Sequence, residues 1–342
     1  MPENKSNESV TNENIEQKCK EFCDVFKKMH TEISKVIVGH EEIIENVLIS
    51  LFSGGHVLLE SVPGLGKTLL VRTLSDALSL KFGRIQFTPD LMPADIIGTN
   101  IVMEDHETGR RQFKFESGPI FNQIILADEI NRATPKTQSA MLEAMQEQSV
   151  TSGGNVYKLP DPFIVMATQN PIEQEGTYPL PEAQLDRFFF KLIVPYSNRE
   201  ELRTILDRTT AGDMPTAEPI MSGPEIVAAR RLIKQVAVAE HVQDYAIRLV
   251  LATHPDGEFA PEIAKRYIRF GSSPRGVQAV ILASKVRAML SGRYHVGFDD
   301  IISSYLPAMR HRILLNFEGQ AEGIDNDQLL TSIIEQTPKS LD

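Results

Sequence analysis

The chain has no tryptophan, only two cysteines and a deficit of basic residues. Lys and Arg number 35 against 46 Asp and Glu, a net charge of −11, which argues against sequence-independent binding to nucleic acid because such binding needs a dense cationic face. No apolar run approaches the roughly 20 residues that a membrane-spanning helix requires. The polar segment 1–14 is unlike a secretory signal, so we expect a cytoplasmic protein.

Neither cysteine is expected to form a disulfide or to bind a metal. Cys19 and Cys23 are four residues apart in a helical pattern, which is a poor geometry for a disulfide, and no histidine is close enough to complete a zinc site. We therefore predict reduced thiols. A chain of 342 residues with 42% hydrophobic and 24% charged residues has room for two domains of an ordinary globular protein.

A glycine-rich segment follows the first strongly apolar run. Residues 61–68 read Ser-Val-Pro-Gly-Leu-Gly-Lys-Thr and come directly after 57–59. Its glycines allow backbone N–H groups to turn around phosphate oxygens, and the helix predicted to follow adds its positive N-terminal end. Lys67 is expected to reach the β- and γ-phosphates, and Thr68 to ligate Mg²⁺. The predicted nucleotide-binding residues here are Ser61, Val62, Pro63, Gly64, Leu65, Gly66, Lys67 and Thr68.

Ser61 stands where the general pattern of this loop has its first glycine. The two remaining glycines are sufficient for the backbone to approach phosphate, so we expect this departure to leave the chemistry intact.

Two further apolar runs end in polar residues. The run 124–127 ends in Asp128-Glu129, and the run 163–168 ends in Gln-Asn170. Asp128 is positioned to hold Mg²⁺, Glu129 to polarise an attacking water, and Asn170 to orient that water. The three motifs together predict a nucleoside triphosphatase. The adjacent Glu favours hydrolysis over a kinase reaction, and the Asn-Lys-x-Asp signature of GTPases is absent.

The order of apolar runs predicts an α/β fold. Buried strands are expected near 56–60, 82–87, 123–127, 163–168 and 189–194, and their alternation with helical segments is typical of a mostly parallel sheet. Ligands of such sheets bind at the carboxyl ends of the strands, where all three motifs fall. An amphipathic helix is predicted over 15–30.

A helical region is predicted to follow a Pro/Gly/Thr-rich break at 209–219. Ser222 and Glu225 form a capping box for one helix, Ser273-Pro274 opens a second that stops at Gly292, and Asp299 opens a third that runs to about His311.

Three longer stretches resemble the MoxR family of AAA+ ATPases. They are residues 128–147, 176–188 and 271–276, and the resemblance covers roughly residues 30–320. It implies a P-loop AAA+ core with a five-stranded sheet, followed by a small all-helical lid domain. It also implies ATP and Mg²⁺ as ligands, a homo-hexamer, and chaperone-like remodelling of clients, commonly with a partner that carries a von Willebrand factor A domain.

The same resemblance suggests roles for individual residues. Asn170 matches a residue that senses the γ-phosphate, Arg187 an arginine finger for the neighbouring subunit, and Arg275 a lid arginine that reports the nucleotide state. An arginine supplied in trans neutralises charge that develops on the γ-phosphate. The alternatives are a structural salt bridge of Arg187 with Glu182 and a solvated Arg275, for which the helix dipole demands an anionic partner.

Other assignments stay open at this point. The segment 36–40, with Val38 and Gly39, resembles the part of these ATPases that packs on adenine, but a small core strand would have the same composition. Residues 99–115 and 149–159 are predicted β-hairpins, the first turning at 105–109, and they are either partner-contacting or purely structural.

We therefore divide the chain into a disordered leader (1–14), an ATPase core with its N-terminal helix (15–208), a lid (209–320) and a tail (321–342). The predicted function is an ATP-driven remodelling motor. The alternative is a nucleotide-controlled binding module with little turnover.

Overall fold

A computed structural model describes residues 12–104, 111–171, 176–210, 212 and 215–340. Over these ranges the strands are β1 Val57–Glu60, β2 Phe82–Gln86, β3 Gly98–Glu104, β4 Arg111–Ser117, β5 Ile124–Asp128, β6 Ser149–Ser152, β7 Asn155–Lys158, β8 Ile164–Gln169, β9 Phe190–Ile193, β10 Ile268–Phe270 and β11 Leu314–Leu315. The helices are α1 Asn12–Val36, α2 Glu41–Ser53, α3 Lys67–Ala77, α4 Pro93–Ile97, α5 Pro135–Glu147, α6 Glu182–Leu185, α7 Arg199–Thr210, α8 Gly223–Lys234, α9 Glu240–Leu251, α10 Glu262–Tyr267, α11 Pro274–Leu290, α12 Phe298–Met309, α13 Phe317–Ala321 and α14 Asn326–Gln336.

The central sheet contains the five predicted strands. Its order is β2-β5-β8-β1-β9, and every neighbouring pair is parallel. Successive residues of β5 point to opposite faces: Ile124 and Leu126 pack in one hydrophobic cluster, and Ile125 and Ala127 in another. Helices therefore cover both faces, as buried parallel strands require. This confirms the predicted α/β core.

Helix α1 is longer than the predicted 15–30. Met29 and Ile33 are completely buried, and Val36 is nearly so, which means that the apolar stripe continues past the expected end. Cys19 and Cys23 are free thiols on its buried side, and Cys23 Sγ donates to the Met289 carbonyl at 2.6 Å. Burial raises the pKa of both thiols. Of the expected leader, residues 1–11 lie outside the described residues and 12–14 begin α1.

The second domain is helical, as predicted, with one small addition. Strands β10 and β11 form a two-stranded antiparallel pair. The Ser222–Glu225 capping box is present, and Ser273 caps α11 by accepting the Arg275 N–H at 3.1 Å. The segment that we assigned to a tail contains α14, whose Leu329, Leu330 and Ile333 are fully buried against the rest of the lid.

Two antiparallel hairpins project from the core. β3 pairs with β4, and β6 with β7; the predicted turn at 105–109 lies outside the described residues. Phe115 and Tyr157 stack at 4.1 Å between ring centroids, with an angle of 16° between the rings, and so join the hairpins. Phe113 is 81% exposed and Val156 is 67% exposed. Across the described ranges, the helices are all too short or too polar to span a bilayer.

Candidate active site

The sheet brings the predicted motifs to one edge. Glu60 on β1 pairs with Gln169 on β8, and Ala127 on β5 pairs with Ala167 on the other side of β8. Because the strands are parallel, the residues that follow them emerge side by side. Ser61 confirms this proximity, because its N–H donates to the Gln169 carbonyl at 3.1 Å.

The phosphate loop has the conformation that its glycines allow. Gly64 and Gly66 have φ angles of +85° and +72°, which only glycine adopts without strain. A Cβ built at either residue would meet no atom within 4 Å, so the loop is open on that side. Gly66 precedes α3, and Thr68 lies in the first helical turn, half-buried. The helix N-terminus and the loop N–H groups can therefore face one bound anion.

Lys67 occupies the position that a phosphate-binding lysine needs. Its Nζ donates to Ser61 Oγ at 2.7 Å and to the Val62 carbonyl at 3.0 Å. Burial lowers the pKa of Lys67, while the carboxylates of Asp128 and Glu129 act in the opposite direction. Lys67 thus lies close enough to interact electrostatically with both acids. Its hydrogen bonds to the loop oxygens can be replaced by bonds to a phosphate.

Asp128 is a buried carboxylate with two partners. Thr168 donates to its Oδ1 at 2.7 Å, and Arg84 of β2 donates to its Oδ2 at 2.7 Å. Thr168 also accepts the Glu129 N–H at 2.8 Å, so this single hydroxyl orients the whole acidic pair. Since Arg84 is 47% exposed, the ion pair is open to water and a cation can replace the guanidinium.

Glu129 has a left-handed backbone, with φ of +56°. Its Oε2 accepts from Gln86 Nε2 at 2.9 Å and from Arg132 NH1 at 2.9 Å. A non-glycine residue in this region is unusual and is found at functional sites more often than elsewhere. The Glu129 carboxylate is therefore held between Gln86 of β2 and Arg132.

Asn170 follows β8 and is 7% exposed. The strand order β5-β8-β1 sets it between the acidic pair and the phosphate loop, and its role as a sensing residue stays a prediction.

An apolar cavity of about 300 Å³ adjoins the phosphate loop. Val36, Ile37 and Val38 form one wall, and Leu202 and Ile205 of α7 form the opposite wall. Gly39, with φ of +71°, lies against the Glu201 carboxylate, where an added Cβ would come within 2.4 Å of Oε1. The segment 36–40 is therefore not a strand, and Val36, Ile37, Val38 and His40 line the cavity. Its contact with adenine stays a prediction.

Arg187 lies apart from this edge. Its NH1 donates to the Leu142 carbonyl of α5 at 2.9 Å, and its Nε is buried without a partner among the described atoms. It borders a cavity of about 390 Å³ formed with Glu143 and Gln146 of α5. Within the described residues it makes no ion pair with Glu182, so the alternative role given to it above is not observed.

Arg275 has the anionic partner that its place at a helix N-terminus demands. Its NH1 lies 3.6 Å from Asp186 Oδ2, and its side chain is 45% exposed. The predicted lid arginine is thus paired across the boundary between core and lid.

The residues at the strand edge fit a magnesium nucleotide. The Thr68 hydroxyl and the Asp128 carboxylate are the oxygen donors that Mg²⁺ prefers, and the open loop with Lys67 suits phosphates. The apolar cavity next to the loop suits a purine.

Sequence reasoning missed the residues that hold the two acids. Arg84 and Gln86 of β2 contact Asp128 and Glu129 across neighbouring strands, and Arg132 contacts Glu129 from the turn that follows β5. A signal was present in β2, where the polar residues 84 and 86 alternate with buried Gly83 and Ile85. Their partners could be named only after the order of the strands was known.

This fold and site define a P-loop ATPase of the AAA+ class. Residues 56–190 match the ATPase family associated with various cellular activities, and residues 260–333 match the AAA lid domain. The chain is 42% identical to the chaperone MoxR1 of Mycobacterium tuberculosis, over 89% of this chain and 79% of the relative. It is also 42% identical to the uncharacterised protein YeaC of Bacillus subtilis, over 88% and 91%.

A crystal structure from Cytophaga hutchinsonii superposes with a TM-score of 0.89 at 40% identity, and covers 96% of this chain and 99% of that one. The chain belongs to the MoxR family of AAA+ ATPases.

Proposed function

We propose that this chain binds and hydrolyses ATP with Mg²⁺ at the subunit interfaces of a ring, and that hydrolysis drives chaperone-like remodelling of partner proteins. The observation that carries the proposal is the convergence of Lys67, Asp128 and Glu129 at one strand edge beside an apolar cavity. Membership of an AAA ATPase family with a relative named as a chaperone supports the same conclusion.

Each residue has a definite task in this proposal. The loop N–H groups and Lys67 bind the phosphates, and Val38 with Gly39 holds the base in the apolar cavity. Thr68 and Asp128 hold Mg²⁺, which neutralises phosphate charge when it is bound. Glu129, once free of Gln86 and Arg132, orients and polarises the attacking water, and Asn170 helps to orient it.

Arg187 completes the neighbouring site, because it makes no contact with the acids of its own chain among the described residues. A guanidinium supplied in trans stabilises charge on the γ-phosphate and contributes on the order of 10³–10⁵ in rate. Its buried Nε lacks a partner, which supports a role that is completed by another group.

The partners of this chain are proposed from the family. We propose a homo-hexamer that works with a client or a von Willebrand factor A domain protein, since both follow from the family. The exposed apolar residues Phe113 and Val156 support partner contact through the two hairpins. The cytoplasmic location and the lack of nucleic-acid binding stay predictions.

The test is the ATPase rate as a function of protein concentration. A rate per subunit that rises with association supports a site completed in trans. Mixing Arg187→Ala with Glu129→Gln subunits in equal amounts then tests whether Arg187 acts in trans. An interface between the pocket of an Arg187→Ala subunit and a neighbouring Glu129→Gln subunit contains both an intact Glu129 and an intact Arg187. Activity above the sum of the two variants is expected.

A nucleotide-controlled binding switch is the second candidate. The hydrogen bonds that hold Glu129 to Gln86 and Arg132 favour it if they persist with nucleotide bound, because Glu129 would then be kept away from the attacking water. Negligible turnover in assembled rings, with partner affinity that depends on bound nucleotide, would support the switch and overturn the motor.

A further inference from the structure

Asp186 is the point at which the lid contacts the segment that bears Arg187. Ser273 Oγ donates to both of its carboxylate oxygens at 2.8 Å. Arg312 Nε donates to Oδ1 at 3.0 Å, and Arg275 lies 3.6 Å from Oδ2. All three donors belong to the lid. One carboxylate of the core therefore holds three side chains of the other domain, and the next residue in the chain is Arg187.

Arg312 is the most deeply buried of these partners. Its side chain is 2% exposed, and it donates to the backbone carbonyls of Phe188 at 2.6 Å, Asp186 at 3.2 Å and Phe189 at 3.2 Å. Burial lowers the pKa of Arg312 to about 10, and the Asp186 carboxylate acts against that shift. The guanidinium thus fixes the backbone on both sides of Arg187.

The residues before Arg312 extend the same contact. His311 Nε2 lies 3.0 Å from the Phe188 carbonyl, and Arg310 donates to the Lys191 carbonyl at 3.2 Å. We call this contact between 186–191 and 310–312, with Ser273 and Arg275, the core–lid joint.

Arg275 differs from the other partners of Asp186. It is 45% exposed and 3.6 Å away, whereas Ser273 and Arg312 are within hydrogen-bonding distance. A bound anion can therefore draw Arg275 away while Ser273 and Arg312 keep Asp186 in place. A change in the position of the lid then shifts the backbone segment that contains Arg187, because the joint connects the two.

We propose that Asp186 is a positioning residue for Arg187, so that it acts on hydrolysis in the neighbouring subunit's site and not in its own. The proposal rests on the proposed role of Arg187 in trans. In this proposal, the core–lid joint makes the position of Arg187 depend on the position of the lid in the same chain.

The test uses Asp186→Asn in the full chain. This change keeps the size of the side chain and removes its charge. We expect kcat to fall by about tenfold or more, while KM for ATP changes by less than about threefold, because among the described residues Asp186 contacts neither the phosphate loop nor Asp128 and Glu129. Mixed in equal amounts with Glu129→Gln, Asp186→Asn should recover activity above the sum of the two, since its pocket can receive a correctly held Arg187 from Glu129→Gln.

Two results overturn the proposal in different ways. If Arg187→Ala recovers on mixing with Glu129→Gln but Asp186→Asn does not, Asp186 acts in its own site, and only the present inference fails. If neither mixture recovers, the trans role of Arg187 fails, and the inference fails with it.

Two further variants control for stability. Asp244→Asn is the matched control, because Asp244 pairs at 2.7 Å with Arg248, another arginine that is 3% exposed, but within the lid alone. It should leave kcat within about twofold of the parent. If Asp186→Asn does not fold, Ser273→Ala removes one donor to the same carboxylate and should give a smaller fall in kcat with the same recovery on mixing. A fall in kcat without recovery would again place the effect in cis.

Discussion

Arginines hold carboxylates both at the strand edge and at the core–lid joint, but under opposite conditions of burial. At the edge, Arg84 is 47% exposed and Arg132 is 40% exposed. At the joint, Arg312 is 2% exposed and binds backbone carbonyls as well as Asp186. Water and ions screen exposed pairs, which therefore exchange partners easily, whereas a buried pair cannot lose one member without a large cost.

The difference separates the two tasks of such a protein. In the proposed mechanism the strand edge releases Asp128 and Glu129 from Arg84, Gln86 and Arg132 when a nucleotide binds, so weak and solvated contacts are suitable there. In the same mechanism the joint keeps its geometry, so buried contacts with several hydrogen bonds are suitable there. Each prediction below perturbs one of the two regions.

The largest effect is expected for Glu129→Gln at the strand edge. Loss of the base should lower kcat by about 10²–10⁴ while ATP still binds, because glutamine keeps the size of the side chain. Steady-state ATPase assays and calorimetric ATP titration check both parts. A kcat within a few-fold of the parent would remove Glu129 from its proposed role.

Lys67→Ala should weaken ATP binding by about 100-fold or more, because the loop then lacks the cation that reaches the phosphates. The folded state should persist, since Lys67 bonds only to oxygens of its own loop. Calorimetric titration with ATP measures the loss, and Lys20→Ala, which alters an exposed lysine of α1, is the control. Affinity close to that of the parent would count against the loop assignment.

Arg312→Ala should destabilise the fold by about 3 kcal/mol or more, since it removes a buried donor from the Asp186 carboxylate and from the backbone carbonyls of Asp186, Phe188, Phe189 and Ala308. Chemical denaturation measures the change. Arg84→Ala, at the strand edge, should cost less than about 1 kcal/mol because its guanidinium is 47% exposed and Asp128 keeps its hydrogen bond from Thr168. Equal costs at the two positions would abolish the contrast between the regions.

Acidification should destabilise the fold through two buried histidines. Burial lowers the pKa of His56 to about 4 and that of His311 well below its ordinary value. The unfolded chain therefore binds more protons, and stability is lost as the pH falls below about 6.5. For His56 the loss from neutral pH to about pH 5 is about 2 kcal/mol.

Denaturation at a series of pH values checks this dependence. His56→Gln should reduce it, because glutamine does not titrate and only His311 then contributes. The variant should still fold, since glutamine can donate to the Met145 carbonyl that His56 Nε2 contacts at 3.1 Å. His295→Gln, which replaces an exposed histidine, is the control and should leave the pH dependence unchanged. A pH dependence that His56→Gln leaves intact would contradict the assignment.

The smallest effect is expected for Ser61→Gly, which restores the general loop pattern. Lys67 loses one hydrogen bond of 2.7 Å and keeps the Val62 carbonyl. The net contribution of one such bond is about 1 kcal/mol, so ATP affinity should change by less than about fivefold. A larger loss in the same titration would show that Ser61 is an essential part of the loop.

The strand edge was largely predictable because its residues are adjacent to regular elements. The loop 61–68, Asp128 and Asn170 each follow a buried strand, and parallel strands end at the same edge. The contacts of Arg84 and Gln86 with the acids were not predictable, because they depend on which strands are neighbours. Helix α14 has a signal in the sequence: Asp325 caps it, and Leu329, Leu330 and Ile333 recur at helical spacing.

The core–lid joint was beyond sequence reasoning. Asp186 and Arg312 are separated by 126 residues, and their contact depends on how two domains pack. The stretch 176–188 suggests a role for Arg187 but none for Asp186. Arg275 was predicted to need an anionic partner, but the helix dipole does not say which of the acidic residues supplies it.

The aromatic stack between Phe115 and Tyr157 has a mechanical consequence. With ring centroids 4.1 Å apart, the hairpins of β3–β4 and β6–β7 share one rigid contact near their bases. A load applied to either hairpin is therefore carried by both, and each reaches the sheet by a different route: one through α4 and the other through α5. Pulling on a single surface loop would strain α4 and α5 together, and both helices pack on the same face of the sheet, where Ile96 and Met141 belong to one hydrophobic cluster.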